Sequence, residues 1–333
     1  MRTEFVLPGG TIAALDTAAG TARANDAVGS GGAAGSAGSV GAAGAAGAVG
    51  AVGSAGSVGA AGSADAAAPA GGGIAAVGRP TVLLVPGYTG SKEDFQPLLR
   101  PLAAAGYRAV AIDQRGQYES AWAGDPAGYA IEVLGAEVCQ LAAELVTGAG
   151  LHLVGHSLGG LVGRASVLAK PGLFDSFTLM GSGPAAVIGR RRTLLDAGEL
   201  VLASRGMAAL WTYLEASSRA DPGYVAPSPA LQAFLRSRFL ATDPVGLQVM
   251  GDMLRTEADR TGELARTGVP VLVLHGESDD AWLPAVQAAM ARQLGAAYRV
   301  IEAAAHSPAV ENPAATVSAL LDFWQQLPEP GRE

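Results

Sequence analysis

Short strand-like runs, most of them largely apolar, recur along this chain, and patterns of helical period separate them. The runs are Thr81 to Val85, Tyr107 to Asp113, Leu151 to Val154, Phe174 to Met180, Pro270 to Gly276 and Tyr298 to Glu302. Thr81 to Val85 is the continuous case, the character that a strand buried on both faces of a parallel sheet requires. The intervening patterns predict helices opening near Asp94, over about Ile131–Val146, over Leu161–Ala169, over Ala285–Leu294 and over about Pro313–Leu327. Near the N-terminus, Glu4–Leu7 and Thr11–Leu15 flank Pro8-Gly9-Gly10, which predicts an antiparallel hairpin. Strand and helix in alternation predict an α/β fold with a doubly wound, mostly parallel sheet.

The alternation is interrupted twice. From about Ala185 to Thr267 the pattern is helical without a buried strand, and Pro222, Pro227, Pro229 and Pro244 divide it into short helices. This is a helical excursion late in the sheet, of the kind that forms a lid. The second interruption is compositional. From Gly32 to Gly62 a glycine stands at every third position, with Ala, Ser and Val between, and Gly35–Ala43 recurs unchanged as Gly53–Ala61. The tract has no proline, so a collagen-like helix is not expected. It has little apolar bulk to offset the entropy of ordering, so residues 20–79 are expected to be a disordered loop insertion between the second and third strands. The predicted organisation is residues 1–19 as the hairpin of the core, 20–79 as the insertion, 80–184 as core, 185–267 as lid, 268–328 as core and 329–333 as a tail.

Composition narrows the function classes. The formal net charge is −8 among 333 residues, which argues against general affinity for nucleic acid or anionic membrane surfaces. No stretch reads as a transmembrane helix, and the first residues lack the apolar core of a secretory signal, so a cytoplasmic location is expected. The single cysteine, Cys139, excludes an intramolecular disulfide, and its place in an amphipathic run predicts a core residue. No His, Cys and carboxylate spacing matches a metal site, so neither metal nor cofactor is expected.

The chemistry concentrates around Leu151–Gly160. An apolar strand leads into Gly155-His156-Ser157-Leu158-Gly159, which fits G-x-S-x-G, and a helix follows. A serine presented on so sharp a turn needs neighbours without Cβ two positions away on either side. Two further polar segments follow predicted strands: Glu277-Ser278-Asp279-Asp280 and Ala303-Ala304-Ala305-His306. Ser157, Asp279 and His306 therefore all fall at the carboxyl ends of strands, the edge where open α/β sheets place their sites.

Together with Val85-Pro86-Gly87-Tyr88-Thr89-Gly90-Ser91 and Asp113-Gln114-Arg115-Gly116, these segments make the chain resemble the α/β-hydrolase fold family, outside residues 20–79. The order serine, acid, histidine is that family's order. Pro86 stands where the family usually has histidine, which leaves a backbone amide role intact. The resemblance implies Ser157 as nucleophile, His306 as base and then acid, and Asp279 as the group orienting the imidazole. It implies the amides of Tyr88 and Leu158 as oxyanion donors. Asp280 is the rival for the acid. Trp211, Tyr213 and Trp282 are candidates for a substrate pocket beneath the lid, with ordinary lid packing as the alternative. His156 is expected to be structural, His152 and His275 packed, and Asp113 and Arg115 loop anchors. The implied activity is hydrolysis of a small, largely uncharged carboxylic ester, thioester or amide. A ligand receptor on the same scaffold, a perhydrolase and a carbon–carbon bond hydrolase are the alternatives.

Overall fold

A computed structural model describes residues 1–18, 78–221 and 224–327. The glycine tract, the expected insertion over 20–79 except its last two residues, Pro222 and the tail lie outside the described residues. Eight strands form one sheet. They are β1 (Arg2–Leu7), β2 (Gly10–Asp16), β3 (Thr81–Val85), β4 (Arg108–Ile112), β5 (Leu151–His156), β6 (Ser176–Met180), β7 (Val271–Gly276) and β8 (Ala297–Ile301). Their spatial order is β1-β2-β4-β3-β5-β6-β7-β8. From β4 to β8 every pairing is parallel, and β1 and β2 add an antiparallel edge. The hairpin turn is Pro8-Gly9, with Leu7 opposite Gly10.

The apolar runs supply both faces. In β3, Leu83 and Val85 enter the core on one side of the sheet, and Val82 and Leu84 enter the core on the other. This is the two-residue alternation of a strand with no solvent-facing side. The first face is covered by α2 (Ile131–Leu145), α3 (Leu158–Ala169) and α8 (Pro284–Leu294), through residues such as Leu134, Leu161 and Met290. The second is covered by α1 (Gln96–Ala104) and α10 (Pro313–Trp324), through Leu98, Leu102, Leu320 and Phe323. Cys139 is buried in the first core.

The lid lies between β6 and β7. It comprises α4 (Gly189–Arg219), α5 (Pro229–Ala241), α6 (Pro244–Thr256) and the short α7 (Thr261–Ala265). Pro229 and Pro244 stand in the first turn of α5 and α6, where a missing N–H costs nothing. In α4 two helical segments meet at Gly206, and no proline interrupts residues 189–219, since the breaking prolines begin at Pro222. A kink at Gly206, with φ 75° and ψ −176°, turns it back across the site. Leu210, Trp211, Leu235, Phe239 and Leu247 form the lid's own small core. Among the described residues, no helix is long and apolar enough to cross a membrane.

Candidate active site

Strand β5 ends at His156 and α3 begins at Leu158, so the whole turn is Ser157. Its φ of 55° with ψ of −119° is strained for a residue with a side chain, at a cost of order 1–3 kcal/mol. The flanking glycines make the turn possible by size. A Cβ on Gly155 would lie 2.3 Å from the carbonyl oxygen of Gly159, and one on Gly159 would lie 2.3 Å from that of Val85. The Ser157 amide donates to Met180 O on β6 at 2.9 Å, which fixes the turn to the sheet.

The loop after β8 brings in His306, and the loop after β7 brings in Asp279. His306 Nε2 is 3.0 Å from Ser157 Oγ, and His306 Nδ1 is 3.0 Å from Asp279 Oδ1. A carboxylate can only accept, so Nδ1 carries the proton and Nε2 is left as the acceptor of the serine hydroxyl. Burial works against the charge on Asp279. The facing His306, the Ala281 amide and the Gln287 amide outweigh it and hold the carboxyl below its usual range. All three side chains are buried yet border one cavity or support a group that does.

Asp280 points elsewhere. It makes a two-pronged pair with Arg191 of the lid, at 2.5 Å and 3.1 Å, and so does not meet His306. His156 donates from Nε2 to the carbonyl oxygen of His306 at 2.8 Å. Burial, reinforced by the neighbouring His306, pushes its pKa down to about 4, so it remains a neutral tether. His152 bonds Ser176 Oγ at 2.9 Å and stacks on Trp324, and His275 lies between Gly276 O and Tyr298 OH, both at 2.7 Å. Asp113 and Arg115 both anchor loops, but not through each other. Asp113 pairs with Lys92 at 2.7 Å, and Arg115 pairs with Glu137 of α2.

Several contributors have no local sequence signature. Gln287 on α8 is fully buried and donates to Asp279 Oδ2 at 2.9 Å and to Trp282 O at 2.6 Å. Glu311 Oε2 accepts the amides of Ala305 and Ser307, at 2.7 Å and 3.0 Å, on either side of His306. Gln114 donates to Pro86 O and Gln117 to Gly87 O, at 2.8 Å and 2.7 Å, which pins the loop after β3 against the serine. There a Cβ on Gly87 would come within 3.1 Å of Ser157 Cβ. Within the described residues, the amides of Tyr88 and Leu158 donate to no backbone or side-chain acceptor.

Above the serine lies a cleft whose lid side carries seven leucines. Trp282 lines it, its indole N–H held by Ala185 O at 2.9 Å. Trp211 and Tyr213 do not line it, contrary to expectation. Trp211 is buried against Phe239 within the lid's core, and Tyr213 packs on the same cluster. The kink at Gly206 resets the helical phase, so Leu210 and Leu214 face the cleft instead. Among the described residues, no group of three or more His, Cys, Asp or Glu side chains is arranged to hold a metal ion.

A profile of the alpha/beta hydrolase family matches residues 82–319, which is most of the chain. The chain belongs to this family. Two similar proteins, from Variovorax paradoxus and Pantoea ananatis, carry the name "Putative carbamate hydrolase RutD". The first is 43% identical over 122 residues, covering 35% of this chain and 45% of that protein. The second is 30% identical over 207 residues, covering 60% and 71%. The chain thus spans less than half the length of the first of these relatives. The enol-lactonase from Burkholderia xenovorans LB400 has a similar fold, with a TM-score of 0.61 at 23% identity over 75% of this chain and 92% of that one. The hydrolase reading of the chain therefore rests on its family as well as on its geometry.

Proposed function

We propose that this hydrolase cleaves a small, largely uncharged carboxylic ester through an acyl-enzyme on Ser157. The observation that carries the reading is the hydrogen-bonded relay from Ser157 Oγ through the imidazole of His306 to Asp279, with both links at 3.0 Å. Ser157 Oγ attacks the carbonyl carbon while His306 Nε2 takes its proton. Asp279 keeps the proton on Nδ1 and stabilises the imidazolium. The carbonyl oxygen becomes an oxyanion within reach of the free amides of Tyr88 and Leu158, the latter at the positive end of α3. On collapse the bond to the alcohol breaks, and His306 returns the proton to that leaving oxygen. Water then repeats the sequence on the acyl-enzyme and releases the acid.

The preference for an uncharged substrate follows from the cleft. Its charged lining residues are Asp94, Arg191, Glu199 and Arg255. Each is already in an ion pair: Asp94 with Arg238, Arg191 with Asp280, and Arg255 with Glu199 and Asp252. None is free to meet a substrate charge without breaking such a pair. The relatives' name favours a carbamate as the second reading, because a carbamate carbonyl would meet the same serine and the same amides.

A chromogenic p-nitrophenyl ester tests the reading. Mixing it with the enzyme should give a burst of p-nitrophenolate equal to the enzyme present. Ser157→Ala should abolish the burst, and Ser157→Ala or His306→Ala should each lower turnover by about a millionfold if the relay acts as a unit. A loss smaller than about tenfold in either variant sinks the mechanism.

A further inference from the structure

Glycine weakens a helix interior, because it gives up the most backbone freedom on folding. Two glycines nonetheless stand inside lid helices on the cavity wall, Gly198 in α4 and Gly251 in α6. Neither has a positive φ, so neither is needed for its backbone conformation. What they contribute is the absence of a side chain. A Cβ on Gly251 would lie 2.9 Å from the hydroxyl oxygen of Tyr88, so this glycine admits the phenol. Gly198 is different. A Cβ there would meet one atom within 4 Å, the flexible end of Leu210 from beyond the kink in the same helix, Cδ1 at 3.3 Å, which would have to give slightly. The space in front of it is cavity.

The surroundings of that space say what would fill it. Leu194 and Leu202 flank Gly198 on the same helix, Leu210 and Leu214 return past the kink, and Leu247 comes from α6. Flexible branched side chains supply this wall, and the charged groups nearby are internally paired. A chain of methylenes suits such a slot better than a charged or polar group does.

We propose that Gly198 opens an acyl arm of the cavity, and that the preferred substrates carry an unbranched aliphatic acyl chain longer than acetyl. This rests on the reading of Ser157 as the acylated residue. Each methylene seated in the arm adds up to about fourfold to transition-state binding.

The test is the p-nitrophenyl ester series from acetate through butyrate and hexanoate to octanoate, run on the wild type and on Gly198→Leu. In the wild type, kcat/KM should rise about tenfold or more from acetate to octanoate. Gly198→Leu fills the arm, and the octanoate-to-acetate ratio of kcat/KM should fall by about tenfold or more. Leucine is a better helix former than glycine, so the variant's melting temperature should not drop. If it does, Gly198→Ala decides the matter, with the same ratio reduced by a smaller factor. A wild-type profile flat with chain length overturns the proposal, as does a loss in the variant that is equal at every length. Absence of enzyme-dependent p-nitrophenolate release with every ester, acetate included, would instead bring down the acyl-enzyme reading and the arm with it. A flat series with a full burst removes the arm alone.

Discussion

A carboxylate that accepts two backbone amides fixes a loop, and Glu311 does this immediately behind His306. With the His156 tether on the carbonyl oxygen of His306 and Asp279 on its ring, the histidine is held from three directions. Such support matters because displacement of a reacting group by about 1 Å can cost about a hundredfold in rate. Glu311→Ala is therefore expected to lower kcat by about a hundredfold with little change in KM. Glu311→Gln retains an oxygen that can accept both amides, and should restore most of the loss. Steady-state kinetics on both variants decides it; equal defects in the two would show that the charge, not the loop, was what mattered. That Ser157, Asp279 and His306 meet was legible in the sequence, because each follows a strand and their order along the chain matches the family's. Asp279 was favoured over Asp280 only by its spacing after Gly276; in the structure Asp279 faces His306 and Asp280 faces Arg191. Gln287, Gln117 and Glu311 were not legible at all, and Gln114 only as part of a matching segment, without its role. Their partners are mostly backbone atoms of other loops, and no spacing rule encodes such meetings.

Within the lid, two glycines of one helix have opposite meanings. Gly206 sits at φ 75° and ψ −176°, a region essentially restricted to glycine, and it produces the kink that turns α4 across the cleft. No atom stands within 4 Å of where its Cβ would be, so any penalty there is backbone strain rather than crowding. Gly206→Ala is expected to destabilise the protein by about 1–3 kcal/mol. Gly198→Ala, at an ordinary helical position, gains about 0.5–1 kcal/mol of helix propensity against a 3.3 Å contact with Leu210 Cδ1, and should leave stability within about 1 kcal/mol of the wild type. Paired thermal melts measure both. A destabilisation of similar size at both positions would mean that the kink is not the reason for Gly206. The prolines made the starts of α5 and α6 legible, because proline fits the first helical turn. The kink was not legible, because a lone glycine inside a helical pattern signals equally a weak point, a close approach or a bend. The error over Trp211 and Tyr213 has the same origin. Their phase around the helix cannot be extrapolated through a break.

For the molecule as a whole, the sheet was the most legible feature. A strand buried on both faces is apolar at most positions, and Val82–Val85 in β3 meets that condition. The same burial encloses groups that titrate near neutrality, and this has a consequence for stability. His152 lies on β5, stacked on Trp324 at 4.8 Å between centroids and 14° between planes. Burial pushes its pKa down from 6.5 to about 4. In the unfolded chain the imidazole takes up a proton as pH falls through 6.5, whereas in the fold it does so only near 4. Between those values the unfolded state binds more protons, so acidification removes stability, and the contribution is intact above pH 6.5. For this residue the loss amounts to about 3 kcal/mol by pH 4. Buried carboxyls work the other way over part of the range, since burial raises the pKa of Asp113, Glu137, Asp175 and Glu311. The raw pH profile therefore mixes opposing contributions, and a variant is needed to isolate one. His152→Phe keeps a ring against Trp324 and removes the titration. Denaturant unfolding of wild type and variant at pH 7 and pH 4.5 gives the difference between them at each pH. The advantage of the wild type over His152→Phe should shrink by about 2–3 kcal/mol on acidification, while the carboxyl contributions cancel. A difference that stays constant with pH would place the neutral imidazole of His152 in surroundings far wetter than its stack on Trp324 implies.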